Sequence, residues 1–273
     1  HLASMSAGYR GAVLNVRPEQ PWGDPMRYLE PAAPIYEPGT QIQYNDHEVF
    51  LLGSILTRMA GESEAALFQR RIAGPIGMKR WSWGVSGRLN GVELNNAAGT
   101  PTTPGVQTTA LEMARFGLLY LNRGNWNGKQ LLPASFVEEA TKNQAPREGK
   151  SWFLQGRYGF YWWTNDPRPD GRRPWPSVPP RAYTSHGNGC NFCFVVPEWN
   201  VVIVRMGTVP FGSSASRSNP QDAVWDAFFA KLGEALADTA LDDVLEHDHA
   251  VEGRAHGGLV ERRSRQIPRR DRG

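Results

Sequence analysis

Cysteine is scarce in this chain of 273 residues, with only Cys190 and Cys193 present. Both fall in a stretch that reads as a strand, where residues three apart point to opposite faces; buried free thiols are expected there, not a disulfide, redox pair or zinc pair. A small scaffold stapled by disulfides is thereby excluded. With 40 % hydrophobic residues the chain is long enough to bury its own core, as one large domain or two packed lobes. Long apolar runs are also missing, so no segment reads as a membrane span. The net charge is only +3, and much of the basic excess lies in the final ERRSRQIPRRDRG. No basic face for nucleic acid is expected on the folded body, and the tail reads as a solvated end. No signal-peptide pattern or initiator methionine opens the chain, which starts at His1 in what already reads as folded sequence. The expectation is that the natural N-terminus lies upstream.

What is present begins with helices. After a Pro-rich stretch from Val16 to Pro38, the spacing of Val49, Leu52, Ile55, Leu56 and Met59 predicts a helix over about 47–60, with Asp46 as its N-cap. SEAALFQRRI from Ser63 reads as a second helix, ended by GPIGM. Trp81 to Val106 has no sustained period and reads as a long loop. Thr109 and Glu112 are spaced as a capping box before a helix whose face carries Leu111, Ala114, Leu118 and Leu121, and Ser135 and Glu138 repeat that spacing before a shorter one. The pattern then changes to strands: YGFYWWTN, RAYTS, NFCFVV and NVVIVRMG, the last two joined by PEWN. Asn219 and Pro220 start a final helix with an apolar stripe of Val224, Trp225, Phe228, Phe229, Leu232 and Leu236, which is expected to lie across the sheet. Helices first, then antiparallel strands, then a covering helix imply an α+β protein. Residues 1–241 read as one domain, with a mainly helical lobe over about 1–150 and the sheet and last helix over about 151–241; residues 242–273 read as a disordered tail.

Three stretches attract chemical interest: Tyr44-Asn45-Asp46, SHGNG from Ser185 to Gly189, and the opening HLASMSAG. Each also has a structural reading. Asp46 can cap a helix while Tyr44 packs at its rim, and the glycines around His186 can permit a bulge. Among the tryptophans, Trp81, Trp83, Trp162 and Trp163 can line a cleft or fill a core. His247, His249 and His256 lie in the tail, where ordered metal ligation is not expected, so neither a metal nor a cofactor is called.

Taken in order, HLASMSAG, PGTQIQYNDHEVFLLGSIL, GPIGM, TTALEMARFGLLYLNRGNWNGKQLLP, YGFYWW and SHGNGCNFCFVVPEWNVVIVRMG resemble the serine β-lactamase, penicillin-binding protein and esterase superfamily, in its class C branch. The resemblance runs from His1 to about Leu236. It implies a β-lactamase/transpeptidase-like fold and acyl transfer through an active serine in a Ser-x-x-Lys motif. It also implies that Tyr44 is the motif tyrosine, sharing protons with that serine and lysine. A free phenol has a pKa of about 10, so a neighbouring cation is needed for it to act as a base near neutral pH. His186, Gly187 and Asn188 resemble the family's Lys-Thr-Gly strand motif, and a backbone N–H of Asn188 or Gly189 would serve as an oxyanion donor. By the same resemblance the partner is a small-molecule ester, amide or β-lactam, and a periplasmic or secreted location is favoured.

Two departures follow. Asp46 stands where the family usually has Asn, and a carboxylate only accepts hydrogen bonds whereas an amide also donates. No Ser-x-x-Lys occurs anywhere: Ser4, Ser6, Ser54, Ser63 and every other serine lack a lysine three residues on. The chain is therefore expected to lack the nucleophile, its lysine and the N-terminal helix and strands, and to be inactive alone. The main expectation is part of a serine hydrolase acting on esters or amides. The alternative is a non-catalytic module that binds peptide or peptidoglycan-like ligands in the same cleft.

Overall fold

A computed structural model describes residues 1–9, 33–95, 105–149, 151, 154–187, 189–207 and 222–237. Two units are distinguished, His1–Phe229 and Ala230–Gly273. Of the second, residues 230–237 are described and are helical. The capping residues Asn219 and Pro220 and the whole expected tail, including the three tail histidines, lie outside the described residues.

In the first unit, α1 spans Asp46–Ala60 and α2 spans Glu64–Phe68, continued by a π turn over Gln69–Ala73. Asn45, not Asp46, caps α1. Asn45 is extended at φ −155 and ψ 139, and its Oδ1 accepts from the Glu48 N–H at 2.8 Å while its Nδ2 donates to Glu48 Oε1 at 3.1 Å. This reciprocal arrangement is a variant of the capping box, and it leaves Asp46 in the first turn, its carboxylate unused by the cap. The other carboxylate oxygen of the fully buried Glu48 accepts from the Ala7 N–H at 3.1 Å. It thereby ties HLASMSAG to the start of α1. At the end of that segment Gly8 has φ +91, and a Cβ there would come within 2.3 Å of the Tyr36 carbonyl oxygen; only glycine fits.

The region expected to be a loop holds four short strands: β1 (Trp81–Trp83), β2 (Val85–Leu89), β3 (Val92–Asn95) and β4 (Val106–Thr108). β1 pairs with β4 and β2 with β3, all antiparallel. Pieces this short carry no readable alternation. α3 (Ala110–Leu121) is capped by Thr109, but Glu112 turns away from the cap and accepts from the Lys79 and Arg80 N–H groups instead. Its buried face also differs from the expected one: Leu111 and Leu118 are exposed, while Gly117, Leu119 and Tyr120 face inward. The small hairpin of β5 (Asn125–Trp126) and β6 (Lys129–Gln130) precedes α4 (Ala134–Ala140), which Pro133 caps without a side-chain bond.

The main sheet has four antiparallel strands in the order β10-β9-β8-β7, with β7 at Trp163–Thr164, β8 at Tyr183–Gly187, β9 at Asn191–Val196 and β10 at Val201–Arg205. The period of two in β9 divides its side chains between two cores. Phe192, Phe194 and Val196 join Trp175, Val178, Ala182 and Phe229 on one face. Val195 joins Tyr120, Val137, Ala140, Trp162 and Tyr183 on the other. Residues 222–229 are helical, and Trp225 and Phe229 cover the first face as expected. α3 covers the second so closely that a Cβ on Gly117 would lie 2.6 Å from Val202 Cγ1. Cys190 and Cys193 are not joined in a disulfide; Cys193 is buried in β9, whereas Cys190 sits in the β8–β9 turn at φ 62.

Candidate active site

α1, α2 with its π turn, and the near edge of the main sheet enclose a cleft of about 1120 Å³. Tyr44, Asp46, His186 and Gly187 all line it, so residues more than a hundred positions apart in sequence meet in one cleft. Gly189 is not in the lining; it lies in the β8–β9 turn at φ 73, with its carbonyl accepting from Arg205 Nη1 at 3.0 Å. Asn188 lies outside the described residues.

The cap on α1 sets the position of Tyr44. Its backbone N–H donates to Ser151 Oγ at 2.8 Å, and the chain then enters the helix through the Asn45–Glu48 pair. Tyr44 keeps 37 % of its surface open, all the same crowding by protein and the nearby Asp46 push its phenol up to about 12. That direction is the opposite of what a base needs. Asp46 is itself pushed up to about 6 by burial. Across the cleft His186 stacks on Phe192, ring centroids 4.2 Å apart, opposite which it is registered in the β8–β9 pairing. Burial pushes its imidazole down to about 4, with Asp222 opposing and Arg157 reinforcing the shift, so it is neutral near pH 7.

Trp163 stands between these groups, 6.5 Å from the Tyr44 ring, 5.7 Å from Tyr158 and 5.4 Å from His186 by centroid. Of the four candidate tryptophans, Trp83 and Trp163 line the cleft; Trp162 belongs to the core and Trp81 is outside the lining. Adjacent residues in an extended strand face opposite ways, which is why Trp162 and Trp163 part company. The structure adds Tyr158, Tyr161 and Phe192 to the site. Tyr161 has φ 62 and its hydroxyl donates to the Leu2 carbonyl at 3.3 Å, which ties the opening segment to the residues just before β7. Nothing in YGFYWW singled out its two tyrosines, since no local pattern separates a cleft aromatic from a core one.

Ser4 and Ser6 are buried and bonded to each other at 2.9 Å, and neither lines the cleft. Among the described residues Ser185 is the serine in the lining and Arg71 is the only lysine or arginine there. Apart from Asp46 and Glu64, the rest of the helical wall is apolar, including Leu52, Leu56, Met59, Leu67, Phe68 and Ile72. No group of three or more His, Cys, Asp or Glu residues placed to hold a metal ion occurs among the described residues.

A sequence model described as Beta-lactamase matches residues 1–224. The chain belongs to the β-lactamase family. Its fold agrees with the family's solved structures at low identity. It is similar to a β-lactamase from Mycobacterium bovis at 17 % identity and TM-score 0.58, over 86 % of this chain and 72 % of that one. It is similar to a β-lactamase/D-alanine carboxypeptidase from Yersinia pestis, solved with citrate, at 22 % identity and TM-score 0.55, over 85 % and 68 %. A penicillin-binding protein homologue from Caulobacter crescentus aligns at 17 % identity and TM-score 0.52, over 74 % and 62 %. The chain spans less than two thirds of the length of several such structures, 61 to 63 % in three of them. No curated protein matches it. The β-lactamase/transpeptidase-like fold read from the sequence is therefore established, and no helix among the described residues is long and apolar enough to cross a membrane.

Proposed function

We propose that this chain is part of a class C β-lactamase-like serine hydrolase that cleaves esters or amides through an acyl-serine. The observation that carries the reading is the cleft itself, which joins a Tyr44–His186 end to a broad apolar wall on α1 and the π turn. That wall suits a helix bearing Ser-x-x-Lys, supplied by sequence that precedes His1. A lysine arriving there supplies the cation that the phenol of Tyr44 lacks. The serine hydroxyl then attacks the substrate carbonyl, and its proton passes through the tyrosine and lysine to the leaving alcohol or amine. Water later releases the acyl group by the reverse proton path. By itself the chain binds ligand without turning it over.

The polar end of the cleft bears on the substrate. A neutral His186 and the carboxylate of Asp46 offer no cation to a substrate carboxylate, and Asp46 repels one. Esters or amides without a carboxylate beside the scissile bond are favoured over β-lactams. The test is the protein extended with the coding sequence that precedes His1, treated with a fluorophosphonate serine probe and a chromogenic short-chain ester. Labelling and turnover are expected, with Tyr44→Phe losing about 100-fold or more in kcat while its fold is retained. An extended protein that has no Ser-x-x-Lys and takes no label would replace this reading by the alternative, a binding module for peptide or peptidoglycan-like ligands.

A further inference from the structure

Behind the cleft lies a charged cluster that the proposed chemistry does not use. Arg157 has only 2 % of its side chain exposed, and its guanidinium carbon lies 5.6 Å from the ring centre of Trp163 and 5.3 Å from that of Trp175. One guanidinium is thus held between two indoles, an arrangement favoured by the negative faces of the rings. Arg157 Nη1 pairs with Asp222 Oδ2 at 3.3 Å, and Arg168 pairs with the same oxygen. Two cations thus share one carboxylate behind Trp163. A buried cation costs several kcal/mol unless its surroundings repay it, and Arg157 is pushed down to about 10 by that burial.

We propose that Arg157 is a positioning residue of the cleft: it braces Trp163 from behind against Tyr44 and His186, and its cation adds to the burial that keeps His186 uncharged. The geometry forms a chain of contacts, from Arg157 to Trp163 and from Trp163 to both Tyr44 and His186. The remaining neighbours of His186 are consistent with this. Phe192 stacks on one side of the imidazole and contributes no charge. The charged groups that act on it are Asp222, which favours the imidazolium, and Arg157, which opposes it. Tyr44 and Tyr158 both contact the Trp163 ring, and Asp46 lines the same cleft. Kept uncharged, His186 hydrogen-bonds a neutral carbonyl and does not hold an anion as a lysine would. The inference rests on His186 being a site residue, yet it concerns a proton equilibrium that is measured without turnover.

The experiment is an NMR titration of the His186 ring protons in the full chain, assigned by their loss in His186→Gln. Arg157→Met is expected to move the His186 midpoint upward, and Arg157→Lys, which restores the cation, to bring it back toward the original value. Asp222→Asn is expected to move it downward. The opposite signs separate a field effect from general loosening, which would bring the imidazole toward its ordinary value in both variants. An unmoved midpoint in folded Arg157→Met, or an upward shift in Asp222→Asn, overturns the proposal. Should Arg157→Met fail to fold, Arg157→Gln, which keeps a polar side chain without the charge, is read in its place against the same expected upward shift. None of these outcomes depends on a serine nucleophile, so the hydrolase reading can fail or survive independently.

Discussion

The apolar residues of β9 and those of α1 look alike in sequence and behave differently in the fold. In β9, Phe192, Phe194, Val195 and Val196 are all buried, taken up by the cores on the two faces of the sheet. In α1, Phe50 is 2 % exposed, but Leu56 is 42 % exposed and Met59 80 %. Both segments are apolar for the same physical reason, the removal of hydrocarbon from water. Only in β9 is the covering layer present among the described residues. An apolar stripe therefore records that something packs there, without recording what it is. On α1 the stripe opens into the cleft, next to Tyr44 and Asp46.

The strongest way to sharpen that contrast is to remove the best-covered ring. Phe194 is fully buried, with the ring centroids of Trp225, Trp175 and Phe229 at 4.5, 5.0 and 5.1 Å. Phe194→Ala leaves a cavity between rigid aromatics that cannot collapse to fill it. A loss of about 3–5 kcal/mol is expected from urea unfolding. A loss below about 1 kcal/mol would mean that the sheet core is no better packed than the cleft wall.

Next in size are the two titrating groups of the cleft, which act with opposite sign. Asp46 is raised from 3.8 to about 6 on folding; the native state holds that proton more tightly, so its contribution to stability is full below about 4 and is lost as the pH rises through about 6. His186 is lowered from 6.5 to about 4. The unfolded chain then binds the proton more tightly, and the contribution is full above about 6.5 and lost as the pH falls through about 4. Each amounts to at most roughly 3 kcal/mol, and over pH 4–6 they largely cancel. Asp46→Asn should make stability climb more steeply with pH across that window than in the parent, and His186→Gln should make it fall. Thermal melts of the three proteins between pH 4 and pH 7 check this, and parallel curves would remove the electrostatic account of the cleft.

How far such groups could be read from sequence depended on whether their partners were local. Asp46 was the expected cap of α1 where Asn45 is the actual one, because Asn and Asp cap almost equally well. The choice is made by Glu48, whose carboxylate also binds the Ala7 N–H forty-one residues away in sequence. β8, β9 and β10 were legible because each is long enough to show alternation and PEWN sits between the last two. β1 and β4 were not, since each has three residues and its partner lies across an intervening hairpin. Tyr44 and His186 were picked out by the ordered family blocks. Trp163 was one of four tryptophans left between cleft and core, and the two tyrosines of YGFYWW were passed over, because their role depends on which face of a short strand or turn they take.

The smallest expected effect is the one that tests the contrast most directly. Met59 lines the cleft and is largely open to solvent, so little hydrocarbon is withdrawn from water there when this chain folds. Met59→Ser should change its stability by no more than about 0.5 kcal/mol in urea unfolding. If a helix from sequence preceding His1 covers the same wall, the identical substitution in the extended protein buries a hydroxyl and removes packed hydrocarbon, and should cost about 1–3 kcal/mol more. Equal costs in the two proteins would show that the α1 wall has no such cover, and the apolar stripe would then have to be explained by ligand alone.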